Sequence, residues 1–392
     1  AFAARLMEKG VEVRIIDKEA LLSKQSLSRG SIAVLAMDNP EYEDLSETVN
    51  SIASDLDISV LSIESGFGAE ELPDWGGRHF RLLERPQIAI LSQSGFSSYD
   101  VGVSWWSLDH HLGIRHSQID ASLVNYADLR RYNTIILPSG YRDMGEYEKK
   151  VLSDWMEQGG TLIAHAASSS ALASEQGIGS VKLLQNTFEE SEKYNISLQR
   201  ELSALYEELD IESVNSNKVD LDTAYPWEQS EGKYPPSQLE YRDNWQSIFM
   251  PSGAFVSGRT DQEHWLTFGT NSTLPLLYRS YPVLMSDDSS EAPIRVGVFS
   301  DSAKANTYST INWSDIPPGK ELNVRMSGLL WPEAAQRIAN SAYLTRDRIG
   351  KGQLILFSGE PNFRGATLGT NRVWLNAVVY GAGLGTEPRI NP

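Results

Sequence analysis

The strict alternation of short apolar runs with amphipathic stretches between Gln87 and His165 constrains this chain more than any other feature. Residues 87–92, 114–119, 133–138 and 161–165 read as four strands. Between the first two, residues 99–112 carry Val101, Trp105, Leu108 and Leu112 at helical spacing. Residues 121–129 read as a short helix. Residues 145–157 place Tyr147, Val151, Leu152, Trp155 and Met156 on one side and stop at Gly159 and Gly160. Parallel strands need crossovers, and the crossovers here are helices. The pattern therefore predicts an α/β fold with a parallel, doubly wound sheet covered on both faces. Such sheets bind ligands at the carboxyl ends of their strands. Those ends carry Ser94, Gly95, Ser139, Gly140, His165, Ala166 and Ser168, which become the candidate crevice residues.

A chain of 392 residues has room for two or three domains. Residues 1–85 form a small α/β segment: helix 1–9, strands 11–16, 30–36 and 58–63, and helix 45–56, with 64–85 as connector. Its first residues read as the middle of a helix, so it is expected to complete an upstream domain of a longer protein. Residues 86–392 form the main α/β domain, with a helical and loop insertion at 180–250 and a β-rich insertion at 250–345. Within these, 181–211 reads as an acidic amphipathic helix and 212–242 as a long loop. Strands are expected at 253–256, 266–269, 281–284, 294–299, 342–344 and 353–357. Helices are expected at 331–338 and 372–380, the last ended by Gly381.

The net charge of −18, with no basic run, argues against nucleic acid and anionic membrane surfaces. No apolar run approaches the ~20 residues of a membrane span. The absence of cysteine removes thiol nucleophiles, disulfides and thiolate metal sites. A serine nucleophile on a strand-to-helix turn wants glycine on both sides, and none flanks Ser168, Ser169 or Ser170. Ser168 with His165 is kept as a residual hydrolase pair, and His165 itself reads as a packed histidine. The six histidines form neither H-x-x-E nor H-E-x-x-H, so no metal site is assigned. His110, His111 and His116 cluster, but adjacent helical residues point apart. No glycine-rich phosphate loop is present, and Gly350-Lys351-Gly352 reads as a turn into a strand. Near the end, Pro361 and Gly365 shape a turn that Asn362 and Arg364 can anchor or use to meet a ligand.

Several stretches together resemble the C-terminal region of large bacterial zinc carboxypeptidases of the carboxypeptidase A-like class. They are 86–91, 99–109, 128–138, 159–164, 264–269, 352–357, 361–365 and 375–376. The resemblance implies a glutamine-amidotransferase-like or flavodoxin-like sheet. It also implies an accessory, non-catalytic role beside an upstream catalytic domain that holds the zinc. This chain has no catalytic residue and no cofactor of its own in that reading. Its partners would be the upstream domain and further copies of itself, and the parent would be exported. The family fold normally has a Cys where this sequence has Ala166. The alternatives are a module that binds a sugar or peptide in the strand-end crevice, and the residual Ser168 hydrolase.

Overall fold

The computed structural model describes residues 1–68, 72–142, 144–206, 234–302 and 309–387. The chain opens with α1 (Phe2–Glu8), β1 (Arg14–Ile16), the hairpin β2 (Ala20–Leu22) and β3 (Gln25–Leu27), β4 (Ile32–Ala33), α2 (Leu45–Asp55) and β5 (Phe80–Leu82). The expected helices 1–9 and 45–56 and the strands at 11–16 and 30–36 have counterparts here, but the expected strand 58–63 does not. Strands β4, β1 and β5 form a small antiparallel sheet. Strand β5 lies in the stretch read as connector. The run 58–63 is not a strand, and Ile58, Val60 and Leu61 are exposed. β-Branched composition alone does not make a strand where no neighbouring edge accepts it.

The predicted alternation does appear in β6 (Ile88–Ser92), α3 (Ser98–Trp106), β7 (His116–Asp120), β8 (Thr134–Leu137), α4 (Glu146–Glu157), β9 (Thr161–His165) and α5 (Ala166–Leu172). Ser97 starts α3 by accepting from the Asp100 amide. A wider π turn, Ser107–Leu112, carries the helix on to Gly113. Residues 121–129 hold a 3-10 turn, Ala121–Leu123, and a second one starts at Leu129, instead of the expected helix. Asp120 and Asp128 cap these turns with their side chains.

Then come β10 (Lys182–Leu183), α6 (Ser191–Tyr206), α7 (Pro236–Ser247), β11 (Ala254–Thr260), β12 (Thr273–Tyr278), β13 (Leu284–Met285), β14 (Glu291–Val296) and β15 (Val298–Asp301). They are followed by β16 (Ser309–Ile311), β17 (Ser314–Ile316), β18 (Lys320–Asn323), β19 (Arg325–Ser327), α8 (Pro332–Ile338), β20 (Ala342–Ile349), β21 (Gly352–Phe357) and α9 (Leu368–Leu384). Part of the expected loop 212–242 is helix α7, started by Pro236 in its first turn. The rest of that loop, up to residue 233, lies outside the described residues. The expected strand at 266–269 is a 3-10 turn, Trp265–Thr267, whose neighbouring carbonyls at Leu266 and Phe268 accept from Asn376 at 3.0 and 2.9 Å. Helix α9 runs past Gly381 instead of stopping there. A Cβ at Gly381 would stand 3.0 Å from Thr161, so this glycine serves close helix–sheet approach.

One large mixed sheet organises the molecule, in the order β12-β11-β14-β20-β21-β9-β8-β6-β7. Strands β21, β9, β8, β6 and β7 are parallel neighbours. From β21 outward through β20, β14, β11 and β12 every pairing is antiparallel. The parallel half is apolar on both sides, as continuous apolar strands require. Ile88, Ile90, Ile136, Ile163 and Phe357 pack with Leu108, Val373, Trp374 and Ala377. On the opposite face Leu91, Leu137, Leu162 and Leu356 pack with Leu152, Trp155, Met156 and Leu172. Among the described residues no helix is long and apolar enough to cross a membrane.

Candidate functional site

A cleft with two adjoining lobes opens at the carboxyl ends of the parallel strands. The larger lobe, about 780 Å³, is lined by Ser139, Gly140 and Ala166, by Arg142 and Lys149, and by residues 279–282. The smaller, about 520 Å³, is lined by Asp100 and Trp106 of α3 and by Phe363 and Arg364. Ser139, Tyr141, Arg279 and Glu360 border both.

The loops after β6 and β8 are joined through backbone. Ser97 N–H donates to the Ser139 carbonyl at 2.9 Å and Tyr141 N–H to the Gly95 carbonyl at 3.2 Å. This fit explains the two glycines. A Cβ on Gly140 would stand 2.8 Å from the Gly95 oxygen, and Gly95 itself has φ +98°. Gly95 therefore supports the cleft from behind. Ser94 leaves it altogether, its hydroxyl donating to Asp120 at 2.9 Å. Ser139, Gly140 and Ala166 do line one cavity.

The turn from β9 into α5 is sharp. Ala166 holds φ +44°, a left-handed conformation uncommon for a residue with a Cβ. The expectation that such a turn needs flanking glycines is corrected here. Two buried hydroxyls fix it instead: Ser168 donates to the Pro138 carbonyl at 2.6 Å and Ser169 to the Phe357 carbonyl at 2.7 Å. Ser168 is thus engaged in structure, and at the tip of the turn Ala166 presents a methyl group with no chemistry.

His165 lies on the other face of β9, fully buried, its ring edge-on to Phe357 and Trp374 at 5.8 and 6.0 Å. Burial alone pulls its pKa down to about 3, and neither ring nitrogen has a hydrogen-bond partner among the described residues. Burial thus favours its neutral form, and no hydrogen bond joins it to Ser168, whose hydroxyl goes to Pro138. The other histidines disperse. His110 and His111 flank Trp106, and His264 meets Glu291 at 3.0 Å. Among the described residues no three His, Asp or Glu side chains converge as a metal-holding group.

Four cleft residues came from no local motif. Arg279 and Tyr281 follow β12, Glu360 follows β21, and Asp100 sits in the first turn of α3. Arg279 faces Glu360 at 3.6 Å. Burial, with the Glu360 charge nearby, pushes the Asp100 carboxyl up to about 6. Arg142 is held by an ion pair with the buried Glu148. In the tail turn, Asn362 is buried with neither side-chain amide atom hydrogen-bonded among the described residues, while Arg364 is exposed at φ +48°.

No protein-family model matches the chain, and no curated protein matches it. Solved structures do. A ThuA-like protein from Bacteroides uniformis is 12% identical over 79% of this chain and 97% of its own, with a TM-score of 0.35. Another, from Parabacteroides merdae, is 10% identical over 78% and 93%, with a TM-score of 0.36. A β-galactosidase from Bacillus circulans is 13% identical over 76% of this chain but only 32% of the enzyme, with a TM-score of 0.35. At these TM-scores none assigns this chain a fold or an activity. The carboxypeptidase kinship suggested by the sequence is overturned, because the neighbours found include ThuA-like proteins and glycosidases and nothing points to a carboxypeptidase parent. Two of the stretches that suggested it, 264–269 and 375–376, simply meet through the Asn376 hydrogen bonds.

Proposed function

We propose that the chain is a doubly wound, amidotransferase-like module whose strand-end cleft binds a small polar ligand without covalent chemistry. The observation that carries this reading is Ala166. The sharp strand-to-helix turn that would expose a nucleophile exists, and its tip is a methyl group lining a cavity of about 780 Å³. Helices α4 and α5 on one sheet face, with α3 and α9 on the other, support the doubly wound arrangement. The cleft combines polar side chains with aromatic rings, the usual make-up of a small-molecule site. Nothing in this reading needs a metal or a cofactor. The serine hydrolase alternative is disfavoured by the Ser168–Pro138 bond and by the neutral, opposite-facing His165.

The test is saturation-transfer NMR of the full chain against a library of small polar compounds, with Ser170→Trp as a variant that fills the larger lobe. Compounds that bind the wild type and lose their signal with the variant support the reading. Absence of any binder, or binders indifferent to Ser170→Trp, contradicts it.

A further inference from the structure

Two guanidinium groups lie close to the ring of Phe363. The Arg279 guanidinium carbon lies 5.5 Å from the ring centroid and that of Arg364 lies 5.2 Å from it. Both side chains line the smaller lobe. Their partners are unequal. Arg279 has a long ion pair with Glu360, whereas Arg364 has no carboxylate within ion-pair distance among the described residues. That is notable in a chain where 52 acidic residues face 34 basic ones. Arg364 is also held at φ +48°, ψ +24°, a left-handed conformation that is strained for a residue with a Cβ. Directly before this Arg364–Phe363 pair sits Asn362, whose buried amide has no hydrogen-bond partner among the described residues. A strained backbone, a guanidinium with no carboxylate partner among the described residues and an orphaned amide thus share one turn beside the cleft.

Four basic side chains, Arg142, Lys149, Arg279 and Arg364, line the two lobes beside Asp100 and Glu360, with Arg142 paired to Glu148 and Arg279 to Glu360. A guanidinium favours a planar carboxylate, which it can meet with parallel N–H donors. The two acidic side chains on the same wall disfavour a dianionic phosphate. With the Ser139 hydroxyl they offer acceptors to hydroxyl groups. Tyr99 and Tyr141, 82% and 99% exposed at the rim, present ring faces on which a flat C–H surface can lie.

From this arrangement we infer that the cleft takes a hydroxylated carboxylate of the sugar-acid class, its carboxylate met by the guanidinium groups that line the smaller lobe, Arg364 first, and its hydroxyls toward Asp100, Glu360 and Ser139. The inference rests on the non-covalent cleft reading above and narrows it to a chemical class.

The experiment is isothermal titration of the full chain with galacturonate, and in parallel with galactose, propionate and glutamate. Galacturonate is expected to bind one per chain, and each of the other three at least tenfold more weakly. Arg364→Gly, which suits the left-handed backbone and so keeps the fold, is expected to weaken galacturonate at least tenfold with an unchanged or raised melting temperature. Arg279→Lys is expected to weaken it less than Arg279→Ala. Failure of galacturonate to bind, a glutamate affinity equal or greater, or binding indifferent to Arg364→Gly overturns the inference. If library compounds still bind in the Ser170→Trp-sensitive manner, only the sugar-acid class falls. If no compound binds at all, the cleft reading falls with it.

Discussion

The Ser168 hydroxyl donates a 2.6 Å hydrogen bond to the Pro138 carbonyl, tying the first turn of α5 to the end of β8. The serine best placed by sequence to act as a nucleophile therefore holds the cleft's floor together. A fluorophosphonate probe is expected to leave the protein unlabelled. Ser168→Ala is expected to lower stability by ~1–3 kcal/mol in urea unfolding, because it strands a buried carbonyl. Stoichiometric labelling lost in Ser168→Ala would restore the hydrolase reading.

His165 makes stability depend on acid. Its folded pKa is lowered to about 3 from an unfolded value of 6.5, so the unfolded chain takes up a proton that the folded chain refuses. The stabilisation from this group is complete above pH 6.5 and falls as pH drops from there toward 3. His165→Leu is expected to flatten the acid limb of the stability profile by a few kcal/mol at its lower end. Parallel profiles for the two proteins would show that His165 is protonated inside the fold.

Asp100 behaves in the opposite sense. Its folded pKa of about 6 lies above the ordinary 3.8, so the folded state holds the proton more tightly. The associated stability is present below pH 3.8 and is lost as pH rises through 6. Asp100→Asn is expected to raise stability at pH 7.5 by ~1 kcal/mol, a figure reduced for the partial solvation of the group, and to be neutral or unfavourable at pH 4. Equal effects at both pH values would mean that no proton is involved.

Arg337 and Asp243 join α8 to α7 through two hydrogen bonds of 2.7 and 3.3 Å, both side chains largely buried. Removing either one leaves a buried charge, so Arg337→Ala and Asp243→Ala are each expected to cost ~3–5 kcal/mol, and the double variant far less than their sum. Additive single effects would show that the pair is not coupled.

The parallel half of the sheet was legible because β6, β8 and β9 are short apolar runs separated by periodic helices, and both signals are local. Ser139, Gly140 and Ala166 followed from strand order alone. The run 58–63 was misread as a strand because Ile15, Val60 and Leu61 look alike in composition, while only Ile15 finds neighbouring strands. The left-handed turn at Ala166 was missed because its support comes from carbonyls of other strands, at Pro138 and Phe357. Arg279, Glu360 and Asp100 meet only after the antiparallel strands fold back beside the parallel ones. No spacing in the chain announces that meeting, though Arg364 was visible in the Pro361–Gly365 turn.

The most direct measurement uses the absence of native cysteine. Ser170→Cys places a single thiol on the larger lobe, and its alkylation by iodoacetamide can be followed by mass spectrometry with and without each compound that binds the wild type. The thiol is expected to react in the free protein and to be slowed at least fivefold by a bound compound, with no covalent adduct of that compound. A reaction rate unchanged by every binder would contradict a ligand-holding cleft at the carboxyl ends of these strands.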